Sequence, residues 1–316
     1  MNRYPFCIFR MPENGGRVLW EITNTCNYKC VYCMFSSLYK KYENELTTEE
    51  IKKTIRDLKQ NNFTYIKFTG GEPFTRKDMT EILEYASKLG FDMDISTNAS
   101  LITEEIAKKI KDINVPMVHV SLDGANKETN EFVRGNGTFE KTLKGIRCLT
   151  KNKVYTRIGT VIYTKNEEQL EDIIKLAIDL NANEIIFSFM EALGRLNGDE
   201  TIISKKETKD VKQELEKLAI KYKTKIQVKY SFSENKKCEE QGICPAVNKF
   251  LYINNFGQVS PCTLVSSKNQ EYISTLTLKN NTISEIINSY PIKSYLKYIK
   301  EENIKGCPAS RREKWQ

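Results

Sequence analysis

Between Arg17 and Phe189 the chain alternates six times between strand-like and helix-like runs, and no other feature restricts its fold as much. Strand runs are read at Arg17–Thr23, Tyr65–Thr69, Phe91–Thr97, Met117–Leu122, Val154–Ile162 and Glu184–Phe189. Helical spacing separates or follows them at Thr47–Gln60, Lys77–Leu89, Thr103–Asp112, Thr138–Thr150 and Glu167–Leu180. The first of these helices opens on Thr-Thr-Glu-Glu, a capping signature, and the second stops at Gly90. Parallel neighbours require a long crossover, and a helix supplies it in the right-handed sense. The expectation is an α/β fold with a parallel sheet. The notable polar motifs follow strands, so one site is expected at the carboxyl ends of the sheet.

After Lys225 the pattern changes. Short strands at Ile226–Tyr230 and Phe250–Ile253, a turn at Asn254-Asn255-Phe256-Gly257 and short helices at Thr282–Asn288 and Lys293–Glu301 predict a smaller α+β unit. The expected division is an amino-terminal extension (1–14), a barrel-like unit (15–225) and a carboxyl-terminal unit (226–316).

The cysteines are the second constraint. Nine occur in 316 residues, and they cluster. Cys26, Cys30 and Cys33 follow the first strand with C-x-x-x-C-x-x-C spacing, and Cys238, Cys244, Cys262 and Cys307 come late. The odd total, together with an amino terminus lacking an apolar signal region, argues against a disulfide framework and for metal. No apolar run approaches the ~20 residues of a membrane span, so a cytoplasmic protein without a membrane partner is expected. The net charge of +8 comes from lysines and arginines interleaved with acids, as on Lys205–Lys225, so these read as solvated helix faces. A nucleic-acid partner is not expected, since no basic cluster is interleaved with stacking aromatics.

Three thiolates can hold three irons of a cubane and leave the fourth iron open. The cysteine loop, with Tyr32 before its last cysteine, and the turn Thr69-Gly70-Gly71-Glu72-Pro73 together resemble the radical S-adenosylmethionine (SAM) superfamily. That resemblance implies a partial (β/α)6 TIM-like barrel and a [4Fe-4S] cluster on Cys26, Cys30 and Cys33. It also implies SAM on the open iron, an external electron donor such as flavodoxin or ferredoxin, and reductive cleavage of SAM to a 5′-deoxyadenosyl radical that takes a substrate hydrogen. Carried over residue by residue, Tyr32, Gly70, Gly71, Glu72, Pro73, Ser96, Asn98, Ser121 and Arg134 are the expected SAM-binding set. Gly70 and Gly71 permit close backbone approach. Asp94, Asp123 and Glu191 are candidate proton acceptors, and Arg195 lies near Glu191 where substrate could be met. His119, the only histidine, is expected as a hydrogen-bonded lumen side chain. Cys148 is expected in the core, and Cys7 has no nearby partner.

Cys238, Cys244 and Cys262 are separated by five and seventeen residues, with Cys307 forty-four further on. The spacing resembles the SPASM domain appended to many radical SAM enzymes, but no cysteine lies between Gln270 and Gly306 to hold a second cluster there. The pattern is therefore closer to the shortened Twitch form, with one auxiliary [4Fe-4S] cluster; a four-cysteine zinc site is the alternative. The resemblance implies modification of a peptide or protein substrate. The alternative is a small-molecule dehydrogenase acting on an aminocyclitol or sugar alcohol.

Overall fold

The computed structural model describes residues 14–35, 43–232, 246, 249–263 and 270–301. Cys7, Cys238, Cys244 and Cys307 lie outside the described residues. Strands β1 (Gly16–Thr23), β2 (Phe63–Gly70), β3 (Asp92–Thr97), β4 (Met117–Ser121), β5 (Thr156–Ile162) and β6 (Glu184–Phe189) pair in parallel, each with the next. The connecting helices are α1 (Thr48–Gln60), α2 (Met79–Lys88), α3 (Glu104–Asp112), α4 (Lys127–Arg134), α5 (Phe139–Lys151) and α6 (Leu170–Asp179). Helix α7 (Thr208–Lys221) then leads to β7 (Gln227–Tyr230). The sheet is open, in the order β7-β6-β5-β4-β3-β2-β1-β8-β9.

Two features depart from the sequence reading. Helix α4 was not anticipated, although its signals are present: Asn126 caps it by accepting from the Thr129 N–H, and Gly135 ends it with φ +99°. The sheet also runs across the expected boundary near Lys225. Strand β7 adds in parallel to β6, and β8 (Phe250–Ile253) adds in parallel to β1. Strand β9 (Val259–Ser260) is antiparallel to β8. Both additions cover strand edges that would otherwise expose unpaired backbone groups.

Side-chain alternation separates two environments. Val18, Trp20, Ile22, Ile66, Phe68, Ile95, Val118, Val120 and Ile158 are buried in the main core with Ile51, Ile55, Leu58, Ile82 and Leu83 of α1 and α2. Each such side chain contributes roughly 1.5–3 kcal/mol by leaving water. Alternate positions carry polar groups inward: Arg17 and Glu21 on β1, Lys67 on β2, Asp94 on β3, Arg157 on β5 and Glu184 on β6, all but Arg157 fully buried residues. Among the described residues no helix is long and apolar enough to cross a membrane.

Candidate active site

The cysteine loop leaves β1 and is clasped backbone to backbone by the turn after β2. Gly71 N donates to Thr23 O at 2.7 Å, and Glu72 N donates to Thr25 O at 2.8 Å. A Cβ on Gly71 would fall 2.2 Å from Thr25 O, and Gly70 adopts φ +132° with Thr23 O as close. Close backbone approach was anticipated for these glycines; in the structure, what approaches is the cysteine loop itself.

Glu72 is buried, and its carboxylate accepts from Phe74 N, from Thr97 Oγ1 at 2.7 Å and from Asn98 N at 2.7 Å. Burial nevertheless pushes its pKa up to about 7, outweighing those donors. Glu72 thus joins the ends of β2 and β3. Asn98, just past the end of β3, donates through Nδ2 to Asn27 Oδ1 in the cysteine loop at 2.9 Å.

From the other side, Val31 N donates to Val133 O at 2.9 Å, and Tyr28 OH donates to Thr138 O at 3.0 Å. Arg195, expected where substrate could be met, reaches the cysteine loop. Its Nη1 donates to Cys30 O at 2.6 Å and its backbone N to Cys33 O at 3.0 Å. A Cβ on Gly194 would lie 2.4 Å from Cys33 O, so glycine is what lets this strap lie flat on the loop. Nothing in the sequence around Gly194 and Arg195 points to the loop that they hold.

Cys26 is buried, and Cys30 and Cys33 are half-buried. Burial pushes the Cys26 thiol up to about 12, with Glu72 and the other two cysteines adding to the effect; burial raises Cys30 as well. A bound metal must displace these protons. Among the described residues no three metal-type side chains converge on a point. Three thiols that each take a different iron are the donor set of a cubane with one open iron.

Beside the loop, Arg134, Asp123 and Tyr32 form one buried unit. Arg134 (5% exposed) places Nε 2.6 Å from Asp123 Oδ2 (Asp123 being fully buried), as an ion pair off the line of a good hydrogen bond. Tyr32 OH donates to the same carboxylate and accepts from Arg134 Nη2. Asp123 Oδ1 accepts from Val161 N at 2.8 Å. Burial raises the Tyr32 phenol well above its usual range, so it stays neutral. Asp123 was a candidate proton acceptor, and here its oxygens are already engaged by Arg134, Tyr32 and Val161.

Ser96 and Ser121 are half-buried, and no hydrogen bond to their side chains is formed among the described residues. Asp94 is buried among Tyr65, Lys67 and Arg17, whereas Glu191 is exposed just past β6. His119 differs from expectation: its Nδ1 is buried without a hydrogen-bond partner. Burial and the cations Lys67, Arg157 and Arg134 hold it well below its usual pKa, hence neutral. Cys148 is half-buried against the core, as anticipated in kind.

The family model for the radical SAM superfamily matches residues 20–177, half of the chain. The chain belongs to the radical SAM superfamily. A radical SAM relative named AdoMet-dependent heme synthase, from Methanosarcina barkeri, is 37% identical over 190 residues, covering 60% of this chain and 54% of that protein. The mycofactocin maturase MftC of Mycolicibacterium smegmatis is 37% identical over 160 residues, covering 50% and 40%. The chain thus spans about half the length of these curated relatives. In fold it is similar to Streptococcus suis SuiB bound to S-adenosylmethionine, with TM-score 0.76, 16% identity and coverage of 95% and 75%. SuiB bound to its precursor peptide SuiA matches at TM-score 0.74 and 15% identity, covering 91% and 67%.

Proposed function

We propose that this radical SAM enzyme modifies a peptide or protein, in the manner of a peptide maturase. The observation that carries the reading is the cysteine loop, clasped from both sides, at the carboxyl end of an open lumen that presents the hydroxyls of Ser96 and Ser121. MftC and SuiB, named as a maturase and as a protein bound to a precursor peptide, support the substrate class.

In this reading Cys26, Cys30 and Cys33 hold the SAM-binding [4Fe-4S] cluster. When bound, the cluster and SAM supply a 5′-deoxyadenosyl radical that takes a hydrogen from the substrate. The chain's own residues bind and orient. Ser96 and Ser121 hydrogen-bond to SAM, and Arg134 offers a positive charge in a site of low dielectric, where it counts for more than in water. Gly70 through Pro73 present backbone carbonyls to the SAM ammonium. Glu72 acts through Asn98 and the loop, and Asp123 positions Arg134. Cys262 and the cysteines at 238, 244 and 307 hold one further [4Fe-4S] cluster, and Asp94 or Glu191 accepts a proton.

The test is anaerobic reconstitution followed by iron analysis and detection of 5′-deoxyadenosine with SAM and a reductant. The Cys26/Cys30/Cys33→Ala variant is expected to form no 5′-deoxyadenosine and to keep about four irons in the second cluster. Zinc without iron in that variant would overturn the auxiliary cluster. Deuterium transferred into 5′-deoxyadenosine from an aminocyclitol, but from no peptide, would overturn the peptide substrate.

A further inference from the structure

A cavity of about 220 Å³ lies apart from the Arg134 side of the lumen, between β1 and the β8–β9 hairpin. Its walls include Met34 and Phe35, directly after Cys33, and Ser260 and Thr263, which flank Cys262. It therefore lies between the end of the Cys26–Cys33 loop and the segment that carries Cys262. Asn24, Asn254 and Gln258 add amide groups to its surface, and none of its described lining residues is a cation. One charged-type side chain lines it, that of Glu21, which is only 4% exposed.

Glu21 is held by a single described hydrogen bond, from Tyr252 OH to Oε2 at 2.5 Å. Its Oε1 accepts from no donor among the described residues. A second carboxylate, Glu45, faces it electrostatically and is itself satisfied by Thr23 Oγ1, Asn24 N and Asn255 Nδ2. Burial first, and Glu45 last, push Glu21 up to about 7, while the Tyr252 hydrogen bond opposes them. A buried acid beside another acid, with no cation lining the cavity among the described residues, has an unmet demand for positive charge. The amides and hydroxyls around it suit the remaining protons of an ammonium group, and the volume suits one side chain.

Resting on the reading of this chain as an enzyme acting on an external substrate, we propose that this cavity binds a protonated primary amine of that substrate, met by Glu21. Glu21 is then a specificity-determining residue, and it places the amine-bearing part of the substrate between the Cys26–Cys33 loop and the segment that carries Cys262.

The experiment is titration calorimetry on the reconstituted, SAM-bound enzyme at pH 7, in two buffers of different ionisation enthalpy. The probes are Nα-acetyl-lysine N-methylamide, its uncharged norleucine counterpart and a free aminocyclitol. The amine is expected to bind at least about tenfold more tightly than norleucine and to release a fraction of a proton, as Glu21 ionises against it. Glu21→Gln keeps an acceptor for Tyr252 and is expected to reduce the lysine probe to the norleucine level, with no proton released. Gln258→Lys, which supplies the cavity with its own amine, is expected to exclude the probe while leaving Glu21 in place. Tighter binding of the lysine probe assigns the amine to a peptide, and tighter binding of the aminocyclitol assigns it to a small molecule; either supports the site. Equal affinity for lysine and norleucine probes, no binding of any amine, or unchanged binding in Glu21→Gln overturns it. Formation of 5′-deoxyadenosine by the same samples is scored separately, so failure of the radical reading is distinguishable from failure of the site.

Discussion

The rim and the middle of the lumen both bury charge, and they resolve it in opposite ways. At the rim, Arg134 meets Asp123 directly, with Tyr32 bridging the two. Burial disfavours the guanidinium charge, and Asp123 and Tyr32 outweigh it, so Arg134 stays charged. One layer deeper, cations outnumber anions. Arg17, Lys67, Arg157 and Lys229 face Asp94 and Glu184, and Glu184 is already shared by Arg157 at 2.6 Å and Lys229 at 2.7 Å. The surplus is relieved by loss of protons: burial, with Arg17 and Arg157 adding to it against Asp94, lowers Lys67 to about 7, and His119 stays neutral. At the rim the paired charge outweighs burial, and in the layer below burial outweighs Asp94.

The largest effect is expected from breaking the rim pair. Asp123→Asn leaves Arg134 buried without its counter-charge and is expected to cost about 3–5 kcal/mol in urea unfolding, with SAM binding lost beside it. If the variant loses less than about 1 kcal/mol, the rim pair is no stronger than a surface pair.

A smaller and pH-dependent effect is expected from the layer below. Because the folded pKa of Lys67 lies near 7 and its unfolded value near 10.5, the unfolded chain binds more protons across that interval. Wild-type stability therefore gains a component that rises from pH 7 to pH 10.5, by up to about 1.4 kcal/mol per pH unit, and that is lost as pH falls through 7. Lys67→Met is expected to flatten that rise in unfolding curves collected across the interval; an unchanged slope would assign it to other groups.

Least is expected from Tyr32→Phe, which removes the bridging hydroxyl and keeps the ion pair. A loss of about 1 kcal/mol is expected, with iron content unchanged. A loss approaching that of Asp123→Asn would show that the phenol, not the pair, holds the rim together.

Much of this was open to a reader of the sequence. Local patterns identify β1 to β6 to within a few residues, because period-two and period-3.6 burial are written into neighbouring positions. The spacing of Cys26, Cys30 and Cys33 is likewise local. Helix α4 was missed although Asn126 and Gly135 marked its ends, since its middle carries few apolar residues. Contacts between distant segments were not legible. Nothing near Arg195 shows that it straps Cys30, and nothing near Gly71 shows that Thr25 occupies the space its side chain would need.

The sequence by itself determined the parallel α/β alternation, the superfamily and the cysteine loop, since each is encoded by spacing within a few dozen residues. Only the tertiary structure decided the rest. It pairs β8 with β1 across more than two hundred residues, engages Asp123 with Arg134, and leaves Glu21 with one open oxygen in a cavity beside Tyr252. The physical reason is that protonation and pairing depend on distances and on exclusion of water, and both exist only after distant strands have closed around the same space.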